Sequence, residues 1–235
     1  MNKQKQAAIE TISRHFSATW EKGEDPPDAY LMIARKRIAV EVAILKPRPA
    51  VRDGVSKPRL RFDRVALGLV RRLQAALSEA VPENKTVIVT VTAPIWQASK
   101  TASALEDIIR GCLARRRPAQ TRLVEAKDSI HENQIRVRLV EGGSKRASKV
   151  VGFVHNPDSD PEVLLDMTQS LIEGLAMKSA GPARAAGDRW LVLAGEDLPS
   201  HIETYRQIYA ALAVPTRFTR ILLLLARGRI ETLAG

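Results

Sequence analysis

Two carboxylates stand in unusual company near the amino end of this chain. Asp28 follows Pro26-Pro27, and Glu41 interrupts the apolar run "RIAVEVAIL". On a strand over 37–45, alternation puts Ala39, Glu41 and Ala43 on one face and Val40, Val42 and Ile44 on the other. Small neighbours leave room beside Glu41 for an ion, water or a phosphate; they equally suit a closely packed helix. A hairpin joining 29–34 to 37–45 through "RKR" (35–37) lays the two strands side by side. In the right register it brings Asp28 and Glu41 to one end. Converging carboxylates repel one another, and burying even one ion is costly. A divalent cation resolves both problems, and hard oxygen ligands with retained waters point to magnesium or manganese. The structural alternatives are ordinary ones. Glu41 would be solvated on an edge strand, paired with Arg35 or Arg37. Asp28 would be a turn carboxylate.

The elements that must position these residues follow from periodicity. Ala8, Ile9, Ile12, Phe16 and Trp20 predict a helix over 4–22, ended by Gly23. Three prolines and a glycine make 46–60 a loop. Helices are expected over 61–81, 99–114, 161–178 and 199–213, with Asp160 capping the third and Pro161 opening it. Strands are expected over 85–95, 120–126, 134–141, 148–155, 189–194, 218–225 and 229–233. The segment "KTVIVTVTAPI" is rich in β-branched residues and reads as covered on both faces. Strands alternating with helices predict an α/β fold with a mixed sheet flanked by helices. The expected division is a core over 1–118 and a β-rich extension with a C-terminal α/β part over 119–235.

A helix, then Pro27-Asp28, a β-hairpin and a strand bearing Glu41 together resemble the PD-(D/E)XK superfamily, the restriction-endonuclease-like metal-dependent nucleases. The later "TVIVTVTAPI" is similar to its Mrr-like branch. The resemblance is most specific over residues 5–95 and implies an αβββαβ core. It further implies Mg²⁺ or Mn²⁺ on Asp28 and Glu41, assistance from Glu10, and attack on a phosphodiester by water that the ion activates. The superfamily's lysine two residues after the glutamate is replaced here by Ala43; Gln74, from the following helix, is the candidate substitute. The alternative is a catalytically inactive scaffold or interaction protein that keeps the nuclease fold.

The remaining composition bears on partners. Lys and Arg number 37 against 26 Asp and Glu, a net charge of +11. Such a surface attracts polyanions by counterion release. Candidate phosphate contacts are Lys46, Arg48, Arg52, Lys57, Arg59, Arg61, Arg64 and Arg71, then Lys145, Arg146 and Lys149 on a hairpin tip. Aromatic residues make up only 4%, which favours duplex backbone recognition over stacking on single-stranded bases. One cysteine, Cys112, excludes an internal disulfide and a thiolate zinc cage, and the histidines are scattered. No signal peptide, membrane span, Walker loop or nucleophile elbow is evident. The expectation is a soluble, cytoplasmic protein with no membrane partner, its dimerisation left open.

Overall fold

The structure, a computed structural model, describes residues 1–24, 26–45, 63–114, 122–124, 129–142, 148–157, 160–179, 187–195 and 201–235. In chain order the elements begin with α1 (Lys3–His15), β1 (Thr19–Lys22), β2 (Ala29–Ile33), β3 (Lys36–Ile44), α2 (Arg64–Leu77), β4 (Lys85–Thr92) and α3 (Ala98–Ala114). There follow β5 (Arg122–Val124), β6 (Ser129–Ile130), β7 (Asn133–Glu141), β8 (Val150–His155) and α4 (Pro161–Ser179). The last are β9 (Arg189–Ala194), α5 (Ile202–Leu212), β10 (Arg220–Leu224), a 3-10 turn (Ala226–Gly228) and β11 (Ile230–Ala234). The result is an α/β protein with two mixed sheets.

The chain divides into two compact units. The first comprises residues 1–53, 173–206 and 216–235; the second comprises 54–172 and 207–215. The boundary expected at 118/119 falls inside the second unit, whose main segment is an insertion within the first.

In the first unit the sheet order is β1-β2-β3-β9-β10-β11. The antiparallel meander β1-β2-β3 is joined by two parallel pairings, β3 with β9 and β9 with β10. Helix α1 starts at Asn2, whose Oδ1 accepts from Lys5 N at 2.8 Å. It is shorter than the periodicity predicts. Ser17 turns the chain at φ 50°, and Thr19 and Trp20, good strand formers, open β1 against β2. The β2–β3 turn holds Ala34 and Arg35 at φ 47° and 67°, the twist-matching hairpin geometry without its usual Asn-Gly. Ile9 and Ile12 of α1 are buried with Leu31, Val40, Val42, Val192 and Leu222 on one face of the sheet. Helix α4 approaches the opposite face at Gly174, where a Cβ would lie 2.6 Å from Leu45 Cδ2 and 3.0 Å from Leu193 Cδ2. In chain order the first unit holds α1, β1, β2 and β3, then the end of α4 from Glu173, β9, the start of α5 to Arg206, β10 and β11; the rest of α4 and α5 falls in the second unit.

The second unit holds the sheet β5-β7-β4-β8, with β6 added beside β7. Strand β4 is buried throughout its interior, as its composition predicts. Val87, Val89 and Val91 pack against Leu69, Leu73, Leu105 and Ile109 of α2 and α3. A buried Arg138 on β7 binds Asp166 (2.6 Å), Gln169 (3.0 Å) and Glu162 (2.7 Å) of α4. Asp160 Oδ1 accepts from Glu162 N at 2.9 Å, the cap expected before Pro161. The run "TVIVTVTAPI", expected to follow the Glu41 strand in one core, lies in this second sheet. The position beside β3 is filled by β9 in parallel, with Glu41 opposite Leu191.

Candidate functional site

Alternation along β3 and the β2–β3 register build the site. Ala29 pairs with Val40, so one step further along that register stands Asp28 opposite Glu41. Both are buried, at 3% exposure each. The Asp28 carboxylate bridges back to the sheet: its Oδ2 accepts from Val42 N at 2.8 Å. Glu41 lies on a central strand, between β2 and β9. The alternative of a solvated edge residue is therefore overturned. Arg37 instead pairs with exposed Glu21 at 2.6 Å and stacks over the Tyr30 ring.

Three cations meet these two carboxylates. Lys5 Nζ, from α1, is 2.6 Å from Asp28 Oδ1. Lys178 Nζ, at the end of α4, lies 3.0 Å from Asp28 Oδ2 and 3.9 Å from Glu41 Oε2. Arg189, the first residue of β9, donates from Nη2 to Glu41 Oε1. Arg189 and Glu41 share a sheet face because β9 runs parallel to β3, with Ala39 opposite Arg189. The Arg189 guanidinium also stands 5.6 Å from the Phe218 ring centroid. Its Nη1 is buried and has no hydrogen-bond partner among the described residues.

Burial by itself would raise the Asp28 pKa, but the hydrogen bonds from Lys5, Val42 N–H and Lys178 together hold it below the ordinary carboxylate value. A carboxylate with a lowered folded pKa stabilises the protein above its unfolded pKa, and the stabilisation is lost as pH falls through the folded value. The expected result is a stability that drops below pH about 3.8. Asp28→Asn should be less stable at pH 7 and show a shallower acid limb. Urea melts between pH 2 and 7 measure both; equal acid slopes would remove Asp28 from the linkage.

Gly23 anchors the entry to Asp28. Its N–H donates to Asp28 O at 3.0 Å, and a Cβ there would lie 2.0 Å from Pro27 O. That is a backbone atom that cannot rotate away. Gly23→Ala should therefore destabilise the fold by about 1–3 kcal/mol through overpacking, read as a fall in the urea midpoint; an unchanged midpoint would mean that the loop relaxes freely.

The other anticipated residues are distributed differently. Glu10 is half-buried on α1 and accepts from Gln6 Nε2 at 2.9 Å; the structure gives it no bond to the Asp28–Glu41 pair. Gln74 belongs to the second unit, and its amide donates to Val150 O at 3.1 Å. In the first unit the helical segment that follows β3 is the end of α4, from Glu173, and not α2. The group standing by the carboxylates is Lys178, which periodicity places only on the polar end of a helix. Lys5 and Arg189 were likewise not singled out. An arginine opening an apolar strand, "RWLVLA", was the available signal. Arg64 and Arg71 are exposed on α2, and Lys149 is half-buried before β8. Lys46, Arg48, Arg52, Lys57, Arg59, Arg61, Lys145 and Arg146 lie outside the described residues. Cys112 is buried on α3. His155 is buried too, its Nε2 3.2 Å from Thr92 Oγ1, and burial lowers its pKa.

Among the described residues, no group of three or more His, Cys, Asp or Glu side chains is placed to hold a metal ion, and no helix is long and apolar enough to cross a membrane. Comparison of the chain with protein-family models, with curated proteins and with solved structures found no match.

Proposed function

We propose that the first unit is a nucleic-acid-processing module resembling the PD-(D/E)XK nucleases, with Asp28 and Glu41 as its metal-binding pair. The observation that carries this reading is that both carboxylates approach one ammonium nitrogen, Lys178 Nζ, within 3.0 and 3.9 Å. The opening order α1-β1-β2-β3 and the placement of Asp28 before β2 and Glu41 on β3 support it. So does Lys178, which stands in for the lysine that Ala43 lacks.

The donor set suits magnesium or manganese, which take hard oxygens from one or two carboxylates and complete their shell with water and substrate phosphate. Such an ion would supply charge stabilisation to a phosphoryl group. The remaining work falls to the chain's own residues. Lys178, whose ammonium stands beside both carboxylates, would supply the donor that orients the attacking water. The Arg189 Nη1, buried and without a hydrogen-bond partner among the described residues, would be a charged donor for a phosphate oxygen. The net charge of +11 draws the duplex in without sequence preference.

A second reading is a scaffold that binds nucleic acid without cutting it. It is favoured by the same cluster, whose carboxylates are already neutralised by side chains. Incubation of labelled duplex DNA with the full chain and Mn²⁺ or Mg²⁺ separates the two. The nuclease reading expects cleavage that Glu41→Gln lowers at least a hundredfold with an unchanged circular dichroism spectrum. Salt-dependent binding without cleavage selects the scaffold. Neither binding nor cleavage would end both.

A further inference from the structure

A second site lies in the first unit, between α1 and the ends of the sheet's parallel strands. A cavity of about 730 Å³ opens where the parallel strands β3, β9 and β10 end. That volume falls in the usual range for small-molecule pockets, and the carboxyl ends of parallel strands are where α/β sheets receive ligands. Its floor is aliphatic: Ile44, Leu45, Leu224 and Leu225 line it from the strand ends, and Ala7 and Ala8 line it from α1. Its charged lining is of one sign. Lys3 and Arg227 contribute, and no Asp or Glu does, among the described residues. Both cations are exposed, and neither is in a hydrogen bond or ion pair among those residues.

The backbone presents one of these cations at a conformational cost. Leu225 N donates to Arg229 O at 2.8 Å, closing a tight turn. Within it, Arg227 sits at φ 59° and Gly228 at φ 74°. A glycine would adopt the left-handed region freely, whereas an arginine held there is strained, and such strain collects at ligand clamps.

We propose that this cavity binds an amphipathic carboxylate, a small molecule with an aliphatic body and a single anionic head. The aliphatic floor, formed by Ile44, Leu45, Leu224 and Leu225, takes the body. Lys3 and Arg227 take the head. The site is independent of the Asp28–Glu41 pair and stands whether or not that pair holds a metal ion.

The probe is decanoate, titrated calorimetrically into the full chain, with decanol and decyltrimethylammonium as controls. The expected result is one decanoate per chain and a melting temperature that rises with ligand concentration. Decanol should bind at least tenfold more weakly, and the cation not at all. Lys3→Ala combined with Arg227→Ala should weaken decanoate at least tenfold. Ala7→Trp, at an exposed helix position lining the cavity, should fill it and abolish binding with circular dichroism unchanged. Saturation failing at millimolar decanoate would overturn the proposal. So would equal affinity for decanol, or binding that Ala7→Trp leaves intact.

Discussion

Glu41→Ala should cost about 3–5 kcal/mol of folding stability, because it strands a buried charge. Arg189 is 8% exposed at its side chain and Glu41 4%, so solvent screening gives little relief. Removing the carboxylate takes the partner from Arg189 Nη2, while Nη1 already lacks one. Lys178 also loses a counter-charge, although it keeps Asp28. Glu41→Gln is the contrasting variant. It keeps an acceptor oxygen and should cost only about 1–3 kcal/mol, the scale of a weakened hydrogen bond to a charged group. Urea denaturation at pH 7 measures both through the midpoint. If Glu41→Ala shifts stability by less than about 1 kcal/mol, Arg189 reaches water in the variant and the cluster is less sealed than its burial indicates.

Lys178→Met should change metal affinity and cleavage in opposite directions. The ammonium lies 3.0 Å from Asp28 Oδ2 and 3.9 Å from Glu41 Oε2, the two residues that would hold a divalent ion. A tethered cation competes with a free one, so removing it should tighten Mn²⁺ binding by about tenfold or more; each factor of ten is about 1.4 kcal/mol. Methionine keeps the apolar stem of the side chain and with it much of the packing. Lysine also supplies the donor that orients water in the proposed chemistry, so cleavage should fall at least a hundredfold even with the metal site saturated. Calorimetric titration of Mn²⁺ into wild type and variant reads the first effect, and the duplex assay the second. Unchanged or weaker Mn²⁺ binding would show that Lys178 does not occupy the ion's place. Tighter binding with cleavage absent in both proteins would leave a metal site without nuclease activity.

Much of the local structure was legible in the sequence. The two-residue period of 37–45 placed Glu41 among alanines and away from Val40 and Val42. The hairpin set the register that brings Asp28 opposite it. The cap at Asp160 and the strand "RWLVLA" were equally readable, because each depends on residues within one element. What could not be read is long-range. Lys178 reaches Asp28 across 150 residues, and Arg189 reaches Glu41 across 148. No period or spacing reports such a contact. The loop 46–60 looked like an ordinary connection, so the helix and strand after it were assigned to the Glu41 sheet. Their amphipathic and β-branched patterns fit either sheet, since burial on both faces leaves the same trace wherever a strand is placed. The early strand β1 was lost for another reason: Phe16 and Trp20 continue a helical spacing by coincidence across the turn at Ser17.

The insertion between β3 and β9 also has a consequence in time. Each doubling of a loop's length adds only ~0.6 kcal/mol to closing it, so at equilibrium the detour is nearly free. During synthesis it is a delay. At the ribosome's pace of about 5–20 residues per second, the 148 residues from Glu41 to Arg189 take roughly 7–30 s. Throughout that interval the nascent "RIAVEVAIL" has β2 on one side but lacks β9 on the other and the counter-charge that β9 carries. A bare carboxylate at the centre of a sticky β-branched segment then acts as a gatekeeper, discouraging that segment from pairing with another copy of itself. The charge that later joins a sealed ionic cluster would first serve as protection against aggregation.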